Sequence, residues 1–235
     1  MLISTRKERD LANQQNRNLI LQFLLLHRYS TLKNIALELG HKSTASASRI
    51  LKRLSYEKLV KKEVLKEEFI KVTLFGITQK GIDESGGFVD EHLPFYRSRV
   101  SFRNLKHTLT NQRVGTMIKR RLGCDITILN TEFGNLKKYE HFVNLKHRPD
   151  LLVVAKSRIV VAVETELSLK DTKRYRKIWL EYTSKIRVRD MNGVWYFVKN
   201  DAAAQRLMSL WKKEKSKFLR DGEADFMKII SMQDW

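Results

Sequence analysis

Two apolar runs in the stretch HRPDLLVVAKSRIVVAVETE, residues 147–166, carry acidic residues only at their outer ends. Asp150 stands before the first run, and Glu164 and Glu166 close the second. If the runs pair as antiparallel strands around a tight turn centred on Ser157, Asp150 lies opposite Glu164, with Cβ atoms ~4.5 to 5.5 Å apart. Glu166 shares the face of Glu164, because side chains alternate along a strand. The pattern predicts a hairpin with three carboxylates gathered at one end.

Carboxylates this close repel one another, so the arrangement predicts a cation beside them. Mg²⁺ or Mn²⁺ is the natural occupant, since both take hard carboxylate oxygens and hold a water that can attack phosphorus. A basic side chain from the following helix, which Ser168 would cap, is the alternative counter-ion. The candidates recur at helical spacing. They are Lys170, Lys173, Arg174 and Lys177.

The charge of the chain limits what it can bind. Its 235 residues include 46 Lys and Arg against 26 Asp and Glu, a formal net charge of +20. A protein this basic binds polyanions. The excess is spread along the chain, which favours folded surfaces that follow a nucleic-acid backbone. A solvated coat of charge, of the kind found on ribosomal or membrane-surface proteins, is the alternative.

Neither membrane insertion nor secretion is expected. The longest apolar stretch, Leu19 to His27, is interrupted by Gln22 and falls short of the ~18 residues that a span needs. No small-residue cleavage site follows the basic N-terminus. The single cysteine, Cys124, permits no internal disulfide and suits a reducing cytosol. We therefore expect a cytoplasmic protein.

The length favours two domains, divided near residue 95 after a glycine- and acid-rich linker. In residues 1–95, apolar spacing predicts a helix from Asn13 to Arg28, a short helix that ends at Gly40, and a third helix that Ser43 or Thr44 caps. The third helix would bury Ala47, Ile50, Leu51 and Leu54. On its outer side it would carry Ser46, Ser48, Arg49, Lys52 and Arg53.

That outer side is typical of a recognition helix. Short hydroxyl side chains let the backbone approach the major groove, and Arg or Lys contacts phosphates and base edges. A plain three-helix bundle with a basic face is the alternative. The segment that follows, residues 61–81, suggests two strands and a turn, and with the helices it resembles a winged helix-turn-helix domain whose wing lies around Leu65 to Lys71. The resemblance implies DNA contacts from Lys66 and Lys71.

The second domain, residues 96–235, is predicted to be an α/β unit. An amphipathic helix over residues 105–122 bears His107, and a strand then precedes the hairpin. The helix after the hairpin would pack through Ile178, Leu180, Tyr182 and Ile186. A strand, a basic helix and a short closing strand complete the unit. The overall fold class is α/β, or α+β when both domains are counted.

The spacing of the acids resembles that of a known nuclease core. Pro149 and Asp150, followed by Glu164 and Glu166 on adjacent strands, look like the restriction-endonuclease-like PD-(D/E)xK core. The usual last position is lysine, and here it is Glu166. The larger order, from the winged helix through RPD to a helix with Lys177 and Tyr182, resembles the replication-relaxation family and its C-type plasmid mobilisation (MobC) relaxases. That resemblance spans nearly the whole chain.

The resemblance implies a relaxase that nicks one strand of double-stranded DNA at a plasmid transfer origin to start conjugative transfer. Its metal, Mg²⁺ or Mn²⁺, would be held by Asp150, Glu164 and Glu166. An accessory mobilisation or coupling protein is a further expected partner. The remaining catalytic candidates are a lysine that replaces the missing one, a histidine and a tyrosine. They are Lys170, Lys173 or Lys177, then His107, and then Tyr175 or Tyr182.

Two other functions remain open. The same core could serve an ordinary endonuclease of a restriction or transposition system. The chain could also be a non-catalytic replication or copy-number regulator that binds DNA. Nucleotide-driven, zinc-based and serine-nucleophile mechanisms have no support, because the sequence has no glycine-rich phosphate loop, no Cys/His zinc spacing and no G-x-S-x-G motif.

Overall fold

A computed structural model of the chain describes residues 5–68, 70–86, 92–123, 125–132, 146–221 and 223–233. Contacts divide the chain into two compact units, the first reaching Thr116 and the second beginning at Met117. Helices and sheets together confirm a mixed α/β composition. The division by contacts falls later than residue 95, and the domain assignment itself stays a prediction. Part of the predicted linker and Cys124 lie outside the described residues.

The first helix, α1, spans Arg6–His27 and begins earlier than the Asn13 that apolar spacing predicts. Thr5 and Glu8 form a capping box: the Thr5 hydroxyl accepts from the Glu8 N–H at 3.2 Å, and the Glu8 carboxylate accepts from the Thr5 N–H at 3.0 Å. The polar first half of α1 is largely exposed, so apolar spacing detects only the buried half. Neither α1 nor any other described helix is long and apolar enough to cross a membrane.

Helices α2 (Leu32–Glu38) and α3 (Ala45–Tyr56) pack with α1 around one core. Thr31 caps α2 by accepting from the Asn34 N–H at 3.3 Å. Thr44 occupies the N-cap position of α3. The predicted stripe of α3 is confirmed. Its members Ala47, Leu51 and Leu54 are buried, and Ile50 packs against the same core.

The sheet of the first unit has the order β1-β3-β2 and is antiparallel. Its strands are β1 (Tyr29–Ser30), β2 (Val60–Glu67) and β3 (Ile70–Ile77). The hairpin of β2 and β3 is the one that the sequence predicts, and it pairs Lys66 with Lys71 close to its turn. A short helix, α4 (Gln79–Glu84), follows the hairpin, and Thr78 caps it.

The first unit includes helix α5 (Phe102–Leu122) as far as Thr116, and the fully buried Gln112 of this part is bonded to other elements of the unit. The Ser30 hydroxyl donates to Gln112 Oε1 at 2.6 Å, and Asn34 Nδ2 donates to the same oxygen at 3.2 Å. Gln112 Nε2 in turn donates to the Tyr29 carbonyl at 2.8 Å. A buried amide is costly when it lacks partners, so these bonds fix the rotation of α5 about its own axis.

The second unit is built on a sheet with the order β4-β5-β6-β7-β8. Its strands are β4 (Ile126–Asn130), β5 (Leu151–Ala155), β6 (Val160–Glu166), β7 (Gly193–Val198) and β8 (Met227–Ser231). Neighbours are antiparallel from β4 to β6 and parallel from β6 to β8. Leu151 faces Val163 and Val154 faces Val160, which confirms the predicted hairpin register centred on Ser157.

Helix α6 (Thr172–Arg187) begins later than the sequence suggests, because Asp171 caps it and Ser168 does not. The Asp171 carboxylate accepts from a backbone N–H of the first turn at 2.8 Å. Lys170 therefore precedes the helix. The prediction of one helical row of cations running from Lys170 to Lys177 is wrong for this reason.

The buried face of α6 is strongly aromatic. It consists of Tyr175, Ile178, Trp179, Tyr182 and Thr183. This stripe packs against α7 (Asp201–Glu214), where the rings of Trp179 and Trp211 meet edge to face at 5.1 Å. Leu180 points away from the stripe and is 61% exposed, so the prediction that it packs in the core is wrong.

A buried acid clamps α6 to the end of α7. Glu214 is 2% exposed and accepts two hydrogen bonds from Arg176, each 2.7 Å long, and one from Lys217 at 2.8 Å. Bonds from Arg176 and then Lys217 lower the pKa of the Glu214 carboxyl to about 2. A two-pronged guanidinium bond to a carboxylate is geometrically specific as well as strong.

We expect Glu214→Gln to destabilise the protein at pH 7 and to lose that effect in acid. Because the folded-state pKa is depressed, the stabilisation is present above the ordinary carboxyl pKa of 4.5 and is lost as the pH falls towards 2. Urea unfolding at pH 7 and at pH 3 measures the difference from wild type, with the exposed Asp221→Asn as control. An equal difference at both pH values would contradict the assignment.

Candidate active site

The three predicted acids lie at one end of the β5–β6 hairpin. The Asp150 N–H donates to the Val163 carbonyl at 3.0 Å, one residue out of step with the strand pairing, in which Leu151 faces Val163. Asp150 therefore stands just before the paired residues, and the predicted pairing of Asp150 with Glu164 is not part of the ladder. An Asp150 carboxylate oxygen accepts from the Thr165 N–H at 2.7 Å. Glu164 and Glu166 are each 3% exposed. The hairpin therefore presents one acid from the start of β5 and two from the end of β6.

Glu164 is surrounded by polar side chains from two other segments. His147 Nε2 lies 2.8 Å from Glu164 Oε1, and the Tyr182 hydroxyl donates to the same oxygen. The backbone N–H of His147 donates to Glu181 of α6 at 2.8 Å, which holds the segment before Asp150 against that helix. Burial opposes the charged form of the imidazole, but the hydrogen bond and charge of Glu164 raise the pKa of His147.

Glu166 has a different counter-ion. Lys170 Nζ forms an ion pair with the Glu166 carboxylate, and the lysine side chain is 17% exposed. Burial, with the neighbouring charges of Glu164 and Asp150, raises the pKa of the Glu166 carboxyl, although Lys170 lowers it. The charges of the other two acids therefore act on Glu166, in agreement with the repulsion that the sequence predicts.

Three buried tyrosines line the same end of the sheet. Tyr175 and Tyr182 come from α6, and Tyr196 of β7 stands beside Glu164 in the parallel register. All three are 0% exposed. Burial first, and the charges of nearby glutamates next, raise the pKa of each phenol. These hydroxyls are therefore protonated at neutral pH; that of Tyr182 donates to Glu164, and that of Tyr175 accepts from the Lys170 N–H at 3.3 Å.

The remaining candidates are placed differently. Lys173 and Lys177 are exposed on α6. His107 belongs to the first unit, where its Nδ1 lies 3.3 Å from Asn111 Nδ2. His147 was not among the predicted site residues. Its position three residues before Asp150, in HRPD, is the only signal in the sequence, and spacing alone does not show where that side chain points.

The acids fit a hard divalent cation in kind, since carboxylate oxygens are the ligands that Mg²⁺ and Mn²⁺ prefer. Among the described residues, however, no group of three or more His, Cys, Asp or Glu side chains is arranged to hold a metal ion. The two glutamates are paired with basic side chains instead, Glu164 with His147 and Glu166 with Lys170. A metal site here requires these side chains to exchange partners.

The predicted DNA-contacting residues of the first unit lie on α3 and the hairpin. Ser48, Arg49, Lys52 and Arg53 are exposed, Ser46 is half-buried, and Lys66 and Lys71 are exposed beside the turn. Arg53 also pairs with Glu57, whose carboxylate accepts a hydrogen bond from Arg53 Nε at 3.1 Å. The first unit therefore presents a basic surface on a helix and an adjoining hairpin.

No protein-family model, curated protein or solved structure matches the chain. The resemblance to the replication-relaxation family therefore stays a prediction. Support for a function therefore comes from the chain's own residues, above all from the geometry of the second unit.

We expect His147 and Glu164 to stabilise the folded chain as a coupled pair. A double-mutant cycle of His147→Gln and Glu164→Gln should give a coupling free energy of about 1–3 kcal/mol, the usual range for a buried bond to a charged group. Because the folded-state pKa of His147 is raised, the coupling should be full below pH 6.5 and disappear as the pH rises through that pKa. Urea unfolding at pH 6 and pH 9 measures it. Equal coupling at both values would show that charge plays no part.

Proposed function

We propose that this protein is a metal-dependent DNA endonuclease that nicks one strand at a plasmid transfer origin, the reaction that starts conjugative mobilisation. We propose that it does so by hydrolysis, which sets it apart from a relaxase that stays linked to DNA. The observation that carries the proposal is the group formed by Asp150, Glu164 and Glu166, of which both glutamates are buried. Buried acids that repel one another cost folding free energy, and acids gathered in this way are typical of functional sites. The net charge of +20 supports a polyanionic substrate.

The fold proposal has two parts. We propose that the first unit is a winged helix-turn-helix module that binds double-stranded DNA, supported by three helices, a β2–β3 hairpin and the basic outer side of α3. We propose a restriction-endonuclease-like core for the second unit. Its support is the acid-bearing antiparallel hairpin followed by α6 and the parallel strand β7.

The proposed chemistry assigns a task to each side chain. Bound Mg²⁺ or Mn²⁺ would supply Lewis acidity and a water of lowered pKa. Asp150, Glu164 and Glu166 would provide the oxygen ligands. Lys170 brings positive charge to the same end of the sheet, where it can stabilise charge that builds on phosphate oxygens. The roles predicted for Lys177 and His107 stay predictions.

We propose water as the attacking group. Its oxygen forms the new bond to phosphorus, the bond from phosphorus to the leaving sugar oxygen breaks, and the proton that water loses balances the proton that the leaving oxygen gains. Tyr175 and Tyr182 are 0% exposed, and the Tyr182 hydroxyl donates a hydrogen bond to Glu164. A DNA phosphate cannot reach either hydroxyl in this arrangement.

The buried tyrosines favour a second candidate function. A hydrolytic endonuclease of a restriction or transposition system needs no covalent link to DNA, whereas a relaxase must conserve bond energy for rejoining. A DNA-binding regulator without activity is the third possibility. A cytoplasmic location and an accessory mobilisation or coupling protein belong to the relaxase proposal alone.

We expect Glu164→Ala to abolish nicking. Loss of one ligand should lower the rate by about 100-fold or more, because a bound metal contributes several kcal/mol to the transition state. The measurement is conversion of supercoiled plasmid carrying the transfer region into open circles, with Mn²⁺ or Mg²⁺ against EDTA. Asp221→Ala, at an exposed acid of the same unit, is the control. A wild-type protein that binds this DNA and leaves it supercoiled with every metal would leave the regulator as the function.

We expect Tyr182→Phe and Tyr175→Phe to keep nicking activity within about ten-fold of wild type, the loss associated with one hydrogen bond of about 1.4 kcal/mol. The reaction should leave no protein attached to DNA. End-labelled substrate run on a denaturing gel, with and without protease, measures both. Loss of cleavage in one variant together with a protease-sensitive adduct in wild type would identify that tyrosine as the nucleophile and restore the covalent relaxase mechanism.

A further inference from the structure

We infer that Lys170 is a resident counter-ion that competes with a divalent cation for Glu166, and so sets the cation concentration at which the acid site fills. This inference rests on the proposed metal site. Lys170 would then have a task before any metal binds, in addition to any part in catalysis. Three features support this: the burial of Glu166, the way Lys170 is attached, and the contrast with other lysines nearby.

The ion pair between Lys170 and Glu166 is largely buried, so its loss would affect the charge state of the site strongly. The carboxylate is 3% exposed, and the lysine that pairs with it is 17% exposed. Charges in such surroundings interact more strongly than in water, and a buried carboxylate that loses its partner is strongly destabilising. Glu164 lies on the same face of β6, two residues before Glu166, and adds like charge at the same place. Some cation must therefore accompany Glu166 whenever it is ionised.

Lys170 is attached in a way that allows its charge to leave while its backbone stays. It lies between β6 and α6, next to the capping residue Asp171. Its backbone N–H donates to the Tyr175 hydroxyl at 3.3 Å, which fixes the start of the side chain. Its Nζ lies 5.8 Å from the centre of the Tyr175 ring. A lysine stem has four flexible carbons, so the ammonium can withdraw from Glu166 towards the ring or a phosphate.

Other lysines of the segment supply a comparison. Lys173 and Lys177 also lie within eight residues of Lys170 but are exposed on α6. Solvent screens charges in such positions. Removing one of them lowers the net charge by the same single unit without freeing Glu166. Competition for the site therefore belongs to Lys170 specifically, and a general effect of charge would affect all three alike.

The test is isothermal titration of the full chain with Mn²⁺ for wild type, Lys170→Met and Lys177→Met. Methionine keeps most of the length of the stem and removes the charge. Lys170→Met should bind Mn²⁺ about ten-fold more tightly or better, since Glu166 no longer has a partner to give up. Lys177→Met should stay within about two-fold of wild type, as expected for an exposed charge. Lys170→Arg, which retains the charge, should resemble wild type.

Each outcome has one meaning. Unchanged or weaker Mn²⁺ binding by Lys170→Met, with normal binding by wild type, overturns the counter-ion inference and leaves the proposed metal site intact. Absence of Mn²⁺ binding by wild type overturns the metal site and the inference together. Equal tightening in Lys170→Met and Lys177→Met would show a general charge effect and also overturn the inference.

A measurement on the wild type covers the case in which Lys170→Met does not fold. Acetylation of lysine amines, followed by mass spectrometry, reports how accessible each ammonium is. Saturating Mn²⁺ should speed modification of Lys170 severalfold and leave Lys177 unchanged, because the ion releases Lys170 from Glu166. If Mn²⁺ binds and the rate at Lys170 stays the same, the two cations do not compete and the inference fails.

Discussion

The register of the β5–β6 pair is the constraint on which the candidate site depends. All seven residues of β6 are buried, so its apolar pattern cannot by itself decide which residues face which. Asp150 contributes to that decision at the end of the ladder, because its N–H donates to the Val163 carbonyl and its carboxylate accepts from the Thr165 N–H. A slip by one residue would break both bonds. The acid that the proposed chemistry requires is therefore also part of what aligns the strands.

The acids are tolerated because each glutamate has a partner suited to its place. Glu164 receives an imidazole and a phenol, which can share one oxygen. Glu166 receives a single ammonium on a flexible stem. The first set is held by neighbouring elements, since His147 is tied through its backbone to Glu181. The second is attached to a connection between a strand and a helix. The site thus combines fixed and movable positive charge.

The sequence predicted the hairpin well and the surroundings of its acids poorly. Period-two patterning and a short turn were sufficient for the register, since both are local. Lys170 could be named as a candidate, but its partner could not, because the start of α6 depended on whether Ser168 or Asp171 capped it. His147 escaped notice because a contact between residues 17 apart in the chain leaves no periodic signal. The buried state of Tyr182 likewise follows from packing against other elements.

Strand β6 is hydrogen-bonded on both sides, to β5 in one direction and β7 in the other. Backbone amides in such a strand exchange with solvent only through larger openings of the structure, so they belong to the slowest class of a protein. Glu164 and Glu166 thus lie on a strand whose backbone is among the most resistant to local opening in the second unit. The proposed exchange of cations at these carboxylates would therefore involve side chains alone, while the backbone beneath them stays closed.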